Sequence, residues 1–169
     1  MTTILHFRRQ LSGPPDIAEV PGIWVRNFSV PDDIANWLAL RDRAMAEQIP
    51  RVRSWSKSDF ELEMSSKSWW SANRSWVAMR ANRADSAVGA VTLALREGVA
   101  STIPVVHWLL VDPADHRRGI GKFLLSHLEL AAWNDGWREI ELETHANWTA
   151  AVRFYQSIGY APVRDRSPR

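Results

Sequence analysis

From Ile120 onward apolar residues return at helical spacing. Ile120, Phe123, Leu124, Leu128 and Ala131 fall on one face, which predicts a helix closed by Asn134-Asp135-Gly136. Just before it, Ile103 to Val111 is an apolar, β-branched run that ends at Asp112-Pro113, as a buried strand would. Just after it, Arg138 to Ala146 alternates strictly. Glu139, Glu141, Glu143 and His145 share one face of this strand, Ile140 and Leu142 the other. Thr149 to Gly159 reads as a second helix stopped by its glycine, and one short strand follows from Tyr160.

The front half patterns differently. Ile4 to Leu11 is strand-like and precedes a loop rich in proline and glycine, Leu11 to Gly22. Ile23 to Val30 alternates and predicts a strand. Pro31 then opens a helix with Asp32 and Asp33 in its first turn and Ile34, Trp37, Leu38 and Met45 on its apolar face. A capping box at Ser58 to Glu61 predicts a second helix. Ser75 to Ala81 and Ala87 to Leu95, joined by a short polar segment, predict an antiparallel hairpin. A helical crossover between the Ile103–Val111 and Glu139–Glu143 strands makes those two parallel neighbours. The fold class is therefore α/β (α+β): a mixed central sheet with helices on both faces. Residues 1–169 read as one domain, with an N-terminal extension at 1–21 and a basic tail at 164–169.

Composition narrows the possibilities. The net charge of +2 calls for no nucleic-acid or membrane partner. The chain has no cysteine, which removes disulfides, thiolate metal sites and cysteine nucleophiles and fits a cytoplasmic location. Its first residues lack the apolar core of a secretory signal, and no apolar run reaches the roughly 18 residues of a membrane span. Ten tryptophans are unusual, and Trp55, Trp69, Trp70 and Trp76 are candidates for a ligand wall as well as for core. Arg51 and Arg53 are candidates for an anionic group on a ligand.

A strand, a glycine-containing loop and a helix start are together a recipe for holding phosphate on unpaired backbone N–H groups. Here the loop is His116-Arg117-Arg118-Gly119-Ile120-Gly121. It lacks the hydroxyl residue of a nucleoside-triphosphate loop, and Leu124 stands where a dinucleotide fingerprint needs its third glycine. With Val111 and Pro113 before it, the loop resembles the coenzyme loop of the GCN5-related N-acetyltransferase (GNAT) superfamily. A second stretch, Ala150 to Tyr160 ("AAVRFYQSIGY"), resembles that family's C-terminal motif at the right separation. The resemblance implies the GNAT fold and an acetyl-coenzyme A-dependent transfer of acetyl to a primary amine of a small molecule or peptide, without a metal.

It also implies roles. Amides at Arg117, Arg118, Gly119, Ile120, Gly121 and Lys122 would hold the coenzyme pyrophosphate, and the backbone of Leu109, Leu110 and Val111 would run along its pantetheine arm. Tyr155 would be the general acid for the departing thiolate. The base is open between Glu143, His107 and water. Three positions depart from the family pattern. His116 replaces the usual Arg or Gln. Trp148 replaces an Asn that touches the coenzyme, leaving Asn147 as either a helix N-cap or a coenzyme contact, and Trp148 as a residue that could pack on the pantetheine. Finally, there is room for only one strand after the last helix. Ile4 to Leu11 would then fill the vacant sheet position, in this chain or from a homodimer mate. A non-catalytic acyl-coenzyme A-binding sensor or interaction module of the same fold is the alternative function.

Overall fold

A computed structural model describes residues 3–48, 51–98 and 100–163. The basic tail at 164–169 lies outside them. A seven-stranded mixed sheet runs through the molecule in the order β2-β3-β4-β5-β6-β1-β7. Its strands are β1 Ile4–Gln10, β2 Ile23–Asn27, β3 Ser75–Arg80, β4 Arg83–Glu97, β5 Thr102–Val111, β6 Glu139–His145 and β7 Ala161–Pro162. The helices are α1 Ile34–Met45, α2 Lys57–Phe60, α3 Ile120–Asn134 and α4 Thr149–Ser157.

The period-2 alternation of β3 explains why both faces of the sheet are covered. Trp76 and Ala78 join a core with Phe123, Leu124 and Leu128 of α3, which Val152 and Phe154 of α4 extend. Val77 and Met79 face the other way, into a core with Ile34, Trp37 and Leu40 of α1 and Phe60 of α2. Gly89 of β4 lets α3 come close: a Cβ there would sit 2.8 Å from Leu124 Cδ1 and 3.0 Å from Ile120 Cγ2.

The early strand β1 takes the place expected for it, within the same chain. It lies antiparallel to β6, from Ile4 opposite His145 to Gln10 opposite Glu139. It is an interior strand and not the edge, because β7 pairs along its far side through Phe7–Pro162 and Arg8–Ala161. Phe7 is buried under α3, a gain of about 1.5–3 kcal/mol by apolar transfer. The opposite face of β1 answers the carboxylates of β6. Arg8 pairs with Glu141 and with Glu139 (2.9 Å), and His6 Nδ1 lies 3.6 Å from Glu143.

Two helix starts differ from expectation. The first helix begins at Ile34, and Asp33 occupies its N-cap without capping it. The Asp33 carboxylate instead accepts two hydrogen bonds from Arg26 (2.6 and 2.8 Å) and one from the Ser29 N–H (2.7 Å). The second helix is capped by a Ser56–Asp59 box, two residues before the predicted one, because Ser56 has the extended backbone a cap requires. It then widens into a π turn over Glu61–Ser65.

Candidate active site

The site grows from a fault in β5. Ala90 of β4 pairs with Leu110 and Thr92 with His107, so two steps along β4 oppose three along β5. The extra residue is a β-bulge, and Trp108 at its centre has φ +51°. An aromatic residue in the left-handed region costs about 1–3 kcal/mol and persists only where packing enforces it. Trp108 is held by edge-to-face contacts with Trp37 (5.7 Å) and Trp55 (5.3 Å).

The bulge turns β5 away from β6. The parallel pairing consists of Val105–Glu141 and Val106–Leu142. Beyond that point β6 stays on β1 and β5 stays on β4, through Leu110–Ala90 and Val111–Gly89. Leu109, Leu110 and Val111 therefore leave one backbone edge of β5 facing a wedge, while the Leu110 side chain is buried in the α1 core. The stretch is thus a core strand by its side chains and an open edge by its backbone.

The chain that continues β5 ends in the glycine loop. Arg117 (φ +63°) and Gly119 (φ +83°) are both left-handed, and Gly119 is the N-cap of α3. Phe123 is the first residue of α3 whose N–H closes a helical turn, onto the Gly119 carbonyl at 2.9 Å. The N–H groups of Arg117, Arg118, Gly119, Ile120, Gly121 and Lys122 take no backbone acceptor among the described residues. A helix start with free amides and a favourable dipole suits an anionic pyrophosphate. Gly121 serves close packing: a Cβ there would come 3.1 Å from the Phe154 ring, which would have to give by a few tenths of an ångström. That contact seats the start of α3 against α4.

Tyr155, next to Phe154, packs into the α3-side core with its ring 5.9 Å from that of Tyr160. Burial raises its phenol above the usual value, so it is protonated at neutral pH. Its hydroxyl has no hydrogen-bond partner among the described residues, whereas the buried Tyr160 hydroxyl donates to Glu129 Oε1 at 3.0 Å.

His107 and Glu143 lie on the face away from α3, in different settings. The His107 ring meets Trp69 edge-to-face at 4.6 Å, and burial, with the Arg96 charge adding, pushes its pKa down to about 4. Glu143 remains substantially exposed, with Oε1 3.5 Å from Arg96 Nη1. At the turn into α4 the N-cap is Trp148, with no side-chain cap, so Asn147 does not cap the helix. Trp148 rests against the His145 ring at 4.4 Å.

Packing also absorbs most of the proposed ligand wall. Trp55, Trp69 and Trp70 border the α1-side core and Trp76 sits in the α3-side core. Arg53 is held by both oxygens of Asp59 (3.0 and 2.9 Å), which removes it as a free anion receptor, while Arg51 is exposed. Sequence reasoning missed the Trp108 bulge, for which no local signal exists. It also missed Glu129, whose signal was available: a carboxylate on the apolar stripe of α3, four residues after Leu125.

The family model for the acetyltransferase (GNAT) family matches residues 37–160. A mycothiol acetyltransferase from Thermobispora bispora is 31% identical over 160 residues, which is 92% of this chain and 52% of that protein. The chain thus spans about half the length of that relative. A GCN5-related N-acetyltransferase from Sphaerobacter thermophilus superposes with a TM-score of 0.77 at 20% identity, over 96% of this chain and 49% of that one. An aminoglycoside N-acetyltransferase solved in complex with CoA superposes with a TM-score of 0.64 at 18% identity, over 87% of this chain and 93% of that one. The wedge, the amide-rich loop and these likenesses agree: the chain belongs to the acetyltransferase (GNAT) family.

Proposed function

We propose that this chain transfers acetyl from acetyl-coenzyme A to a primary amine on a small molecule or peptide. The observation that carries the reading is the run of free N–H groups from Arg117 to Lys122 at the foot of the β5–β6 wedge. These amides, with Leu109 to Val111 along the wedge, would hold the coenzyme, whose thioester supplies the acetyl group and a thiol leaving group. The names of the mycothiol and aminoglycoside relatives favour a small-molecule amine.

The chain's own residues divide the remaining work. A backbone N–H at Leu110 or Val111 polarises the carbonyl. Tyr155, protonated and with its hydroxyl unengaged among the described residues, gives its proton to the departing sulfur. Glu143 takes a proton from the amine, directly or through water. His107, at a pKa of about 4, is a poor acceptor at neutral pH and serves as a wall. An amine of pKa near 10.4 is neutral in under about one part in a thousand at pH 7, while one near 8 is neutral in roughly a tenth. A base as exposed as Glu143 therefore suits an acceptor of low pKa. Asn147 and Trp148, which follow the end of β6, would be coenzyme contacts. The cysteine-free composition suits the cytoplasm, and no helix among the described residues is long and apolar enough to cross a membrane.

The test is a thermal-shift titration with coenzyme A and acetyl-coenzyme A, followed by thiol release over an amine panel. Saturating coenzyme should raise Tm by mass action. No shift refutes coenzyme binding. A shift without thiol release from any amine marks the chain as a sensor.

A further inference from the structure

The carboxylate of Asp115, 1% exposed, lies between two cations from distant parts of the chain. Its Oδ1 accepts hydrogen bonds from Arg80 Nη2, at the end of β3, and from Arg118 Nη1, in the glycine loop, the latter at 2.7 Å. Both guanidinium groups remain partly open to solvent, at 30% and 45% exposure. Asp112, three residues earlier, is partly buried and pairs with a single cation. It accepts from the Ala114 N–H (3.0 Å) and from Arg43 Nε of α1 (2.6 Å), and Arg43 also donates to the Ala87 carbonyl (3.1 Å).

A buried carboxylate is tolerable only when its lone pairs are satisfied. Two guanidinium groups brought together repel each other unless a charge stands between them. The loop that carries Arg118 also holds Arg117, a non-glycine residue, in the left-handed region, a conformation that needs outside support. One carboxylate meets all three requirements.

Resting on the acetyltransferase reading, we propose that Asp115 is a positioning residue that sets Arg80 and Arg118 as paired cations for the coenzyme's phosphates. Arg80 is then a phosphate ligand supplied by the β3–β4 hairpin, outside the glycine loop. Each arginine uses one nitrogen on Asp115 and keeps the rest of its fork for phosphate oxygens.

The experiment compares Asp115→Asn and Arg80→Met with the unmodified chain, using two acetyl donors. Acetyl-coenzyme A carries the phosphates, and S-acetylpantetheine lacks them. Each variant should raise KM for acetyl-coenzyme A about tenfold or more, with kcat and the KM for S-acetylpantetheine within about twofold of the parent. Equal losses with both donors would reduce Asp115 to a structural brace and overturn the proposal, as would no change with either. If Asp115→Asn does not fold, Arg80→Met, altered at a partly exposed side chain, carries the test alone. Inorganic pyrophosphate, titrated into the same proteins by thermal shift, separates the two readings. If the parent turns over no amine, the acetyltransferase reading fails, and pyrophosphate protection that is weakened in Arg80→Met still reports the cation pair. Equal pyrophosphate protection of parent and variant overturns it.

Discussion

Tyr155 and Tyr160 stand with ring centroids 5.9 Å apart, yet among the described residues only Tyr160 engages its hydroxyl, donating to Glu129 at 3.0 Å. Tyr160 is fully buried and Tyr155 only partly, and the two substitutions should differ in what they cost. Tyr155→Phe removes a hydroxyl that holds nothing in place. It should lower kcat by about a hundredfold or more, the usual range for a lost general acid, with Tm unchanged within about a degree. Steady-state kinetics beside a thermal melt reads both quantities. Unchanged kcat would end the acid assignment.

Tyr160→Phe should do the reverse. It leaves Glu129, 3% exposed, with only the Arg9 guanidinium at 2.8 and 2.9 Å. A loss of about 1 kcal/mol is expected, or about 2–4 °C in Tm, at near-parental kcat. Arg9→Met should cost more, about 3–5 kcal/mol, because it strips the cation from a buried carboxylate. Urea unfolding of both variants measures the difference.

His107 gives the fold a pH dependence with a definite sign. Its folded pKa is near 4 against an ordinary value of 6.5. As pH falls below 6.5 the unfolded chain binds a proton that the folded chain refuses until about 4. The contribution of His107 to stability is therefore complete above pH 6.5 and is lost progressively down to pH 4. Its size is about 1–3 kcal/mol, the upper figure applying to a fully desolvated ring. His107→Gln should flatten the difference in urea midpoint between pH 4 and 7. A parallel pair of curves would show that the ring is solvated.

Gly119→Ala forces a Cβ into a residue at φ +83°. Space is not the obstacle, since the nearest atom would be Val20 Cγ2 at 3.5 Å. The backbone itself is strained, by about 1–2 kcal/mol. Tm should fall by about 2–8 °C, and coenzyme affinity should fall with it as the loop amides lose their alignment. Isothermal titration with coenzyme A reads the second effect, and unaltered affinity would show that the loop is not the anion site.

The glycine loop, the α3 stripe and the alternation of β6 were legible because each is written in consecutive residues: Gly119 and Gly121, Ile120 to Leu128, Glu139 to His145. The position of β1 was legible only by arithmetic, from the shortage of strand after Ser157. What could not be read depends on partners far along the chain. Trp108 adopts its left-handed bulge because Trp37 and Trp55 surround it, and nothing in Val106 to Leu110 announces that. Asp115 and Arg80 meet across 35 residues, and Arg53 is claimed by Asp59, so the charges that seemed available in the sequence were exchanged on folding. The capping box was misplaced by two residues because Ser56-Lys57-Ser58-Asp59 offers two serines, and only backbone geometry distinguishes them.

The interior position of β1 also governs the order in which the molecule can be assembled. Its nearest strand partners lie 129 residues downstream at Glu139. At about 5–20 residues per second of synthesis, β1 waits roughly 6–26 s before β6 exists to receive it. During that time β1 has no strand partner, and β6, the second wall of the wedge, is not yet made. The β5–β6 wedge is therefore among the last features to form. Slow folding follows from this long-range closure even though most helical contacts are local.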